Sequence, residues 1–201
     1  MYWIHRIGRG AKNQREIHFN SLWYLLKNRH CLTSGWQNFI GNANIVSAVE
    51  RGDSEGVKKF MKDTGLLEQQ SRSLTNFSKF KIGDIVVVLP IPDYEKNFVV
   101  VEIKSAAKSI LSLPPQMQEA FDTNIATISF NSTIGFVYPD GSPVDAGFFR
   151  EVEILKTLPL SSRSQEFKKL CDNVMSTNAP LTDYNNAMYS LTEFYSRIAR
   201  P

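Results

Sequence analysis

One hairpin in this chain carries residues that could cut a phosphodiester. In the stretch FKIGDIVVVLPIPDYEKNFVVVEIK, residues 80–104, Asp84 enters one apolar run, Asp93 follows Pro92 in the connection, and Glu102-x-Lys104 closes the second run. An acid on one strand with Glu-x-Lys on its partner matches the PD-(D/E)xK nuclease pattern. Two carboxylates would hold Mg²⁺, a hard cation that polarises a phosphate, and the lysine would orient the attacking water. The same residues also read as architecture alone: Gly83-Asp84 as the tight turn into a strand, and Glu102 with Lys104 as a solvent-facing pair at the end of the hairpin.

A second chemistry is written into the first quarter. Before Gly35 six cations, Arg6, Arg9, Lys12, Arg15, Lys27 and Arg29, face the single acid Glu16, a local charge of +5 in a chain whose net charge is +3. All three histidines, His5, His18 and His30, lie there, and Trp3, Trp23, Tyr24 and Trp36 are interleaved with them. Such a mixture suits a nucleic-acid surface, because Lys and Arg meet phosphates while flat rings stack on bases. In CLTSGWQNF, residues 31–39, a short strand ends in a Ser-Gly-Trp turn. Gly35 lets that backbone turn tightly and approach a ligand, with Trp36 at the mouth. A solvated charged face over core aromatics is the alternative for these residues.

The elements that must position these groups follow from periodicity. Residues 2–7, YWIHRI, alternate as a first strand, with Trp3 and His5 on one side. Residues 8–15, GRGAKNQR, form a basic, Gly-punctuated loop without Walker spacing. Asn20 or Ser21 caps a short helix over 22–29, and residues 44–51 and 54–63 are two more helices, broken at Gly52-Asp53, with Ser54 as a capping residue and Gly65 as the stop. Residues 66–79 are polar and Ser-rich, anchored by Leu74 and Phe77. The runs 84–89 and 98–103 are nearly continuous in apolar residues, which predicts strands covered on both faces. Strands over 125–130, 133–138 and 147–155 complete a set of seven, with Pro139-Asp140-Gly141-Ser142 as a turn. Strands without alternating long helices argue for an α+β chain built on a mixed β-barrel with peripheral short helices, and against a doubly wound sheet. From residue 161 the pattern changes: Phe167, Leu170, Val174 and Met175, then Tyr184, Met188, Leu191 and Tyr195, make two amphipathic stretches of a C-terminal helical hairpin.

The chain of 201 residues, 42% hydrophobic, suits one domain over 1–160 with a helical connector or packing hairpin over 161–201. Cys31 and Cys171 form no paired spacing, so neither a disulfide framework nor a zinc site is indicated, and no cofactor is implied. No apolar run reaches membrane-spanning length and the N-terminus lacks a signal-peptide core, so the reading is cytoplasmic, with no membrane partner.

In order along the chain, YWIHRI, LTSGWQNF, FKIGDIVVVLP…FVVVEI and GFFREVEILKTLP resemble the PUA-like superfamily. The similarity is to the EVE- and YTH-related recognition domains at the N-termini of modification-dependent or Mrr-type restriction endonucleases, and it covers residues 1–160. The resemblance implies a barrel whose pocket takes a modified base flipped out of double-stranded DNA, held by aromatic walls and by hydrogen bonds to its pairing edge. Carried over to this chain, Trp36 would be the main wall and Ser34 a polar contact, with Trp3, His5 and Phe39 as further pocket residues. Arg6, Arg9, Lys12 and Arg15 would contact phosphates, Asp84 would order its turn, and the helical tail would lead to a C-terminal nuclease domain or partner. Three functions stand side by side: a non-enzymatic DNA-recognition domain, a Mg²⁺-dependent nuclease on Asp84, Asp93, Glu102 and Lys104, and a protein-interaction domain.

Overall fold

The computed structural model describes residues 2–8, 14–160 and 178–180. Its centre is the hairpin of β3 (Ile85–Leu89) and β4 (Asn97–Ile103), in which Val86, Val87, Val88 and Phe98 through Val101 are buried on both faces, as their unbroken apolar runs require. β1 (Tyr2–Arg6) lies parallel to β3, with Trp3 opposite Val86 and His5 opposite Val88. On the other flank runs β9 (Phe148–Pro159), a long strand that changes partners along its length. Its second half pairs with β4, with a register shift at Val100/Val101, while Phe148 to Glu151 pair with β2 (Cys31–Ser34). β5 (Lys108–Ser109) continues the side that β4 leaves.

With β10 spanning Asn178–Pro180, the sheet order is β10-β1-β3-β4-β9-β2, so the described residues form an α+β fold with a curled half-barrel rather than a closed barrel. β10 (Asn178–Pro180) is the outer neighbour of β1. The rest of the helical hairpin expected over 161–201 lies outside the described residues. A second sheet of β6 (Phe121–Asp122), β7 (Thr127–Asn131) and β8 (Gly135–Val137) stands apart, and the segment between β5 and β6 holds a short helix, α5 (Pro115–Gln118).

Two helical expectations are corrected. α1 spans Arg15–Arg29, so Asn20 and Ser21 lie inside it and not at its start. Ser21 spends its hydroxyl on the Ile17 carbonyl one turn back at 2.7 Å, an i−4 bond open to a mid-helix serine, and burial of His18, Phe19 and Leu22 carries the helix past the polar stretch. Residues 66–79 contain a further helix, α4 (Glu68–Lys79). Its serines, threonine and asparagine are poor helix formers, but Leu74 and Phe77 sit one turn apart and are fully buried, so packing overrides propensity. α2 (Ala43–Glu50) and α3 (Ser54–Asp63) stand as expected, although the side chain that caps α3 is Asp53, which accepts from the Gly56 N–H at 2.9 Å, and not Ser54.

Arg29, at the end of α1, ties the second sheet to the first helix. Its guanidinium donates to the Met117 and Glu119 carbonyls and lies 4.8 Å over the Phe121 ring, which itself stacks on Tyr24 at 4.2 Å. Lys27 donates to the Thr157 hydroxyl. Arg29 and Lys27 are thus engaged in the fold's own contacts. Cys31 is buried and free, and burial pushes its thiol up to about 12, with Glu151 adding to the effect. Among the described residues no helix is long and apolar enough to cross a membrane.

Candidate functional site

Where β1 and β2 end beside each other, the chain leaves a cavity of about 200 Å³. It is lined by His5, Arg6, Ile7 and Gly8 from β1 and its exit, His18 and Leu22 from α1, Thr33 to Trp36 from β2 and its exit, Ser73 from α4, and Asp145. The volume is below the ~300–1,000 Å³ of drug-sized ligand sites and suits one flat ring system.

Trp36 sits in this wall in a conformation unusual for its type. Its φ of 71° and ψ of 34° are left-handed, a region that bulky residues seldom occupy and that persists only when the surroundings hold it. The restraints are visible. The indole N–H donates to the Ser73 hydroxyl at 3.0 Å, and the ring stacks on Phe39 with centroids 5.7 Å apart. Phe39 in turn meets the edge of Phe60 from α3. Behind Trp36 the backbone passes so near Gly147 that a Cβ there would lie 2.7 Å from the Trp36 carbonyl carbon and oxygen. At Gly35 a Cβ would stand 2.5 Å from Asp145 Oδ2. Gly147 permits an approach of backbone to backbone that no other residue allows, whereas a side chain at Gly35 would require Asp145 to move.

Asp145 is itself held in place. Its Oδ1 accepts the Gln37 backbone N–H at 3.1 Å, and the Gln37 side chain donates to the Ile134 carbonyl. His18 shares a 2.9 Å hydrogen bond between Nδ1 and the Tyr138 hydroxyl. Burial pulls the His18 imidazole below its ordinary value, with the Asp145 carboxylate acting against the shift. Burial, and then Asp145 and Asp140, push the Tyr138 hydroxyl up. The Thr33 hydroxyl, buried in the cavity wall, has no hydrogen-bond partner among the described residues.

The state of His18 has a consequence for stability. The unfolded chain protonates this ring near pH ~6.5, whereas the folded protein resists doing so until lower pH. Stability present above that value is therefore lost as the pH falls below it. In urea titrations from about pH 8 to about pH 5, His18→Gln is expected to flatten the acid-side decline by up to ~1.4 kcal/mol per pH unit, the worth of one proton. An identical decline in the variant would show that His18 does not carry it.

The sequence-derived residues divide clearly. His5, Arg6, Ser34 and Trp36 come together in the cavity, and Phe39 supports it from behind Trp36. Trp3 faces elsewhere: its indole donates to Asp84 at 2.8 Å and packs on Phe80 at 4.8 Å, beside a separate surface depression that includes Gly52, Ser54, Lys79 and Lys81. Arg15 is exposed at the start of α1, and Arg9 and Lys12 lie outside the described residues.

The hairpin acids do not converge. Glu102 is paired with Ile85, so its side chain shares the face of Ile85, and the neighbouring Asp84 projects from the other. Asp84 is buried and accepts from the Lys81 N–H at 2.9 Å as well as from Trp3, which orders the turn before β3. Lys104 bridges Glu102 at 3.0 Å and Glu153 at 2.7 Å at the surface. Asp93 is exposed in the turn before β4, with about 17 Å of strand rise between Asn97 and Glu102. Among the described residues no group of three His, Cys, Asp or Glu side chains could hold a metal ion.

Sequence reasoning missed Thr33, Ser73, Leu22 and Asp145 as lining residues and named His18 only as one of a cluster. Asp145 is 110 residues from Gly35, and no local pattern announces that the two meet. The one usable signal is the spacing Asp145-Ala146-Gly147 just before a strand, a carboxylate beside a residue that permits close backbone approach. No protein-family model, curated protein or solved structure matches the chain.

Proposed function

We propose that this chain is a DNA-recognition module of the PUA-like, EVE-related kind, which takes a modified base turned out of the duplex, and that it serves a restriction or defence protein. The observation that carries this reading is the cavity in which the exits of β1 and β2 gather His5, Arg6, Ser34 and Trp36 at one point. An aromatic wall, polar groups and a guanidinium around a space for one ring are what base extrusion needs. Stacking and hydrogen bonds to the base edge offset an unstacking cost of a few kcal/mol. The site stands on strand ends and a helix, which position side chains more sharply than free loops do. In this reading Arg6 and Arg15, with Arg9 and Lys12 between them in the sequence, contribute the phosphate contacts. The divergence of Asp84 and Glu102 favours recognition over hairpin-based cleavage as the role of this chain.

The direct test is fluorescence-polarisation binding of short labelled duplexes in EDTA and then in Mg²⁺, at two salt concentrations. The set comprises unmodified DNA and DNA carrying 5-methylcytosine, hydroxymethylated or glucosylated cytosine, or N6-methyladenine. Tighter binding to one modified duplex in EDTA is expected, weakening steeply with salt and leaving the DNA intact after Mg²⁺. Equal affinity for every duplex, or cleavage once Mg²⁺ is added, would sink the reading.

A further inference from the structure

Tyr94, on the loop between β3 and β4, keeps 36% of its surface exposed. That loop leaves the sheet beside the cavity. Arg6 of β1 lies opposite Leu89 of β3, and the N–H of Ile7, a residue of the cavity wall, donates to the Leu89 carbonyl at 3.2 Å just before the loop begins. Tyr94 packs on Phe19 with ring centroids 5.6 Å apart. Phe19 in turn stands so close behind Gly8 of the cavity wall that a Cβ there would meet its Cδ2 at 2.8 Å. One buried ring thus links Tyr94 to the cavity. The loop is also braced from within. Glu95 Oε2 accepts the Trp23 indole N–H at 3.1 Å, and its Oε1 accepts the backbone and side-chain N–H groups of Asn97 at 2.8 and 2.9 Å. The Tyr94 and Glu95 N–H groups both donate to the Ile91 carbonyl. Tyr94 is therefore positioned before a ligand arrives, which spares binding the cost of ordering it.

Along α1, Arg15, Phe19 and Trp23 recur every fourth residue and share one face, and Trp23 stacks on Phe19 at 5.4 Å. An exposed cation therefore stands one helical turn from a group of rings. Proteins follow a nucleic-acid strand with this combination, charge for the phosphate and a ring face for the base. Asp93, exposed next to Tyr94, repels phosphate, so the backbone belongs on the Arg15 side and Tyr94 meets a base. Extrusion supplies that base: when one nucleotide leaves the duplex, its neighbour in the strand loses a stacking partner and shows a bare face. We propose that Tyr94, backed by Phe19 and Trp23, is a second contact site, on which the base next to the extruded one stacks. The proposal rests on the base-pocket reading and adds a site outside the pocket.

The test is a cycle of protein and DNA changes read by fluorescence polarisation. Labelled duplexes carry each candidate modified base in a central mispair, which lowers the extrusion cost, with an intact or an abasic nucleotide on either side of it. With intact flanks, Tyr94→Ala is expected to bind about tenfold more weakly than wild type, and Tyr94→Phe, which keeps the ring face, to stay within about twofold. On the duplex whose stacked neighbour is abasic, the difference between wild type and Tyr94→Ala is expected to vanish, because the two changes remove the same contact. A Tyr94→Ala protein that binds like wild type, or one whose loss persists in full on both abasic duplexes, would overturn the proposal. Trp36→Gly in the same assay separates the two levels. Lost discrimination in Trp36→Gly with no effect of Tyr94→Ala removes the stacking site alone, whereas intact discrimination in Trp36→Gly removes the base pocket and the stacking site together.

Discussion

Arg150→Met is expected to remove about 3–5 kcal/mol from the stability of the fold, the largest single-residue effect in the chain. Arg150 lies in β9 with only 2% of its surface exposed, yet it is charged. Its guanidinium donates to the carbonyls of Phe77 at 2.9 Å, Ser78 at 3.2 Å and Ser105 at 3.0 Å, and lies 5.3 Å from the Phe77 ring centre. The first two carbonyls belong to the last turn of α4, whose C-terminal acceptors have no helical partner of their own. One planar fork therefore caps a helix of poor intrinsic propensity and pins it to the sheet. Burial pulls the guanidinium down to about 10, with Asp84 opposing, so it stays protonated at neutral pH. Methionine fills similar space but leaves the Ser78 and Ser105 carbonyls without their Arg150 donor, leaves the Phe77 carbonyl with the Phe80 N–H at 3.4 Å, and removes the positive charge near Asp84. Urea unfolding would measure the loss. Arg150→Lys is expected to recover less than half of it, since an ammonium cannot reproduce the fork. A loss below about 1 kcal/mol in Arg150→Met would show that the carbonyls find other partners.

Trp36→Gly is expected to weaken binding of the preferred duplex about 10–100-fold, the worth of one base–aromatic stack. Glycine is the informative substitution because it takes the φ of 71° without strain, so backbone geometry at the turn is preserved while the ring is lost. The slope of affinity against salt should not change, since the substitution removes no positive charge. Trp36→Phe keeps a face for stacking and loses only the indole bond to Ser73, and should fall between wild type and glycine. The expectation fails if Trp36→Gly lowers affinity for modified and unmodified duplexes alike, because a wall that serves the base must act on discrimination. Both proteins should be compared at matched urea midpoints, as the ring also supports Phe39 and through it α3.

These two residues show different degrees of legibility. Trp36 is readable as a turn residue at the wall of the cavity because a Ser-Gly-Trp turn after a short strand is a local signal, carried by neighbours in sequence. Arg150 was invisible as a keystone: in GFFREVEIL it looks like one polar member of an alternating strand, and its partners are 45 and 73 residues away. The helix that it caps was missed for the same reason, since residues 66–79 lack the helix propensity that a window can detect.

Local chemistry by itself determined the apolar hairpin, the first strand, the two helices split at Gly52-Asp53, and the gathering of positive charge ahead of Gly35. Each depends on periodicity, turn residues or composition within a few residues. Tertiary structure alone decided which charges are spent on the fold, as Arg29 and Lys27 are, and which acid faces which way. The period of two along a strand sends Asp84 and Glu102 to opposite faces once pairing places Ile85 across from Glu102. It alone decided that Asp145 meets Gly35. Contacts of that length are set by how the sheet curls and where β9 changes partners, and a side chain's surroundings, not its type, determine its role.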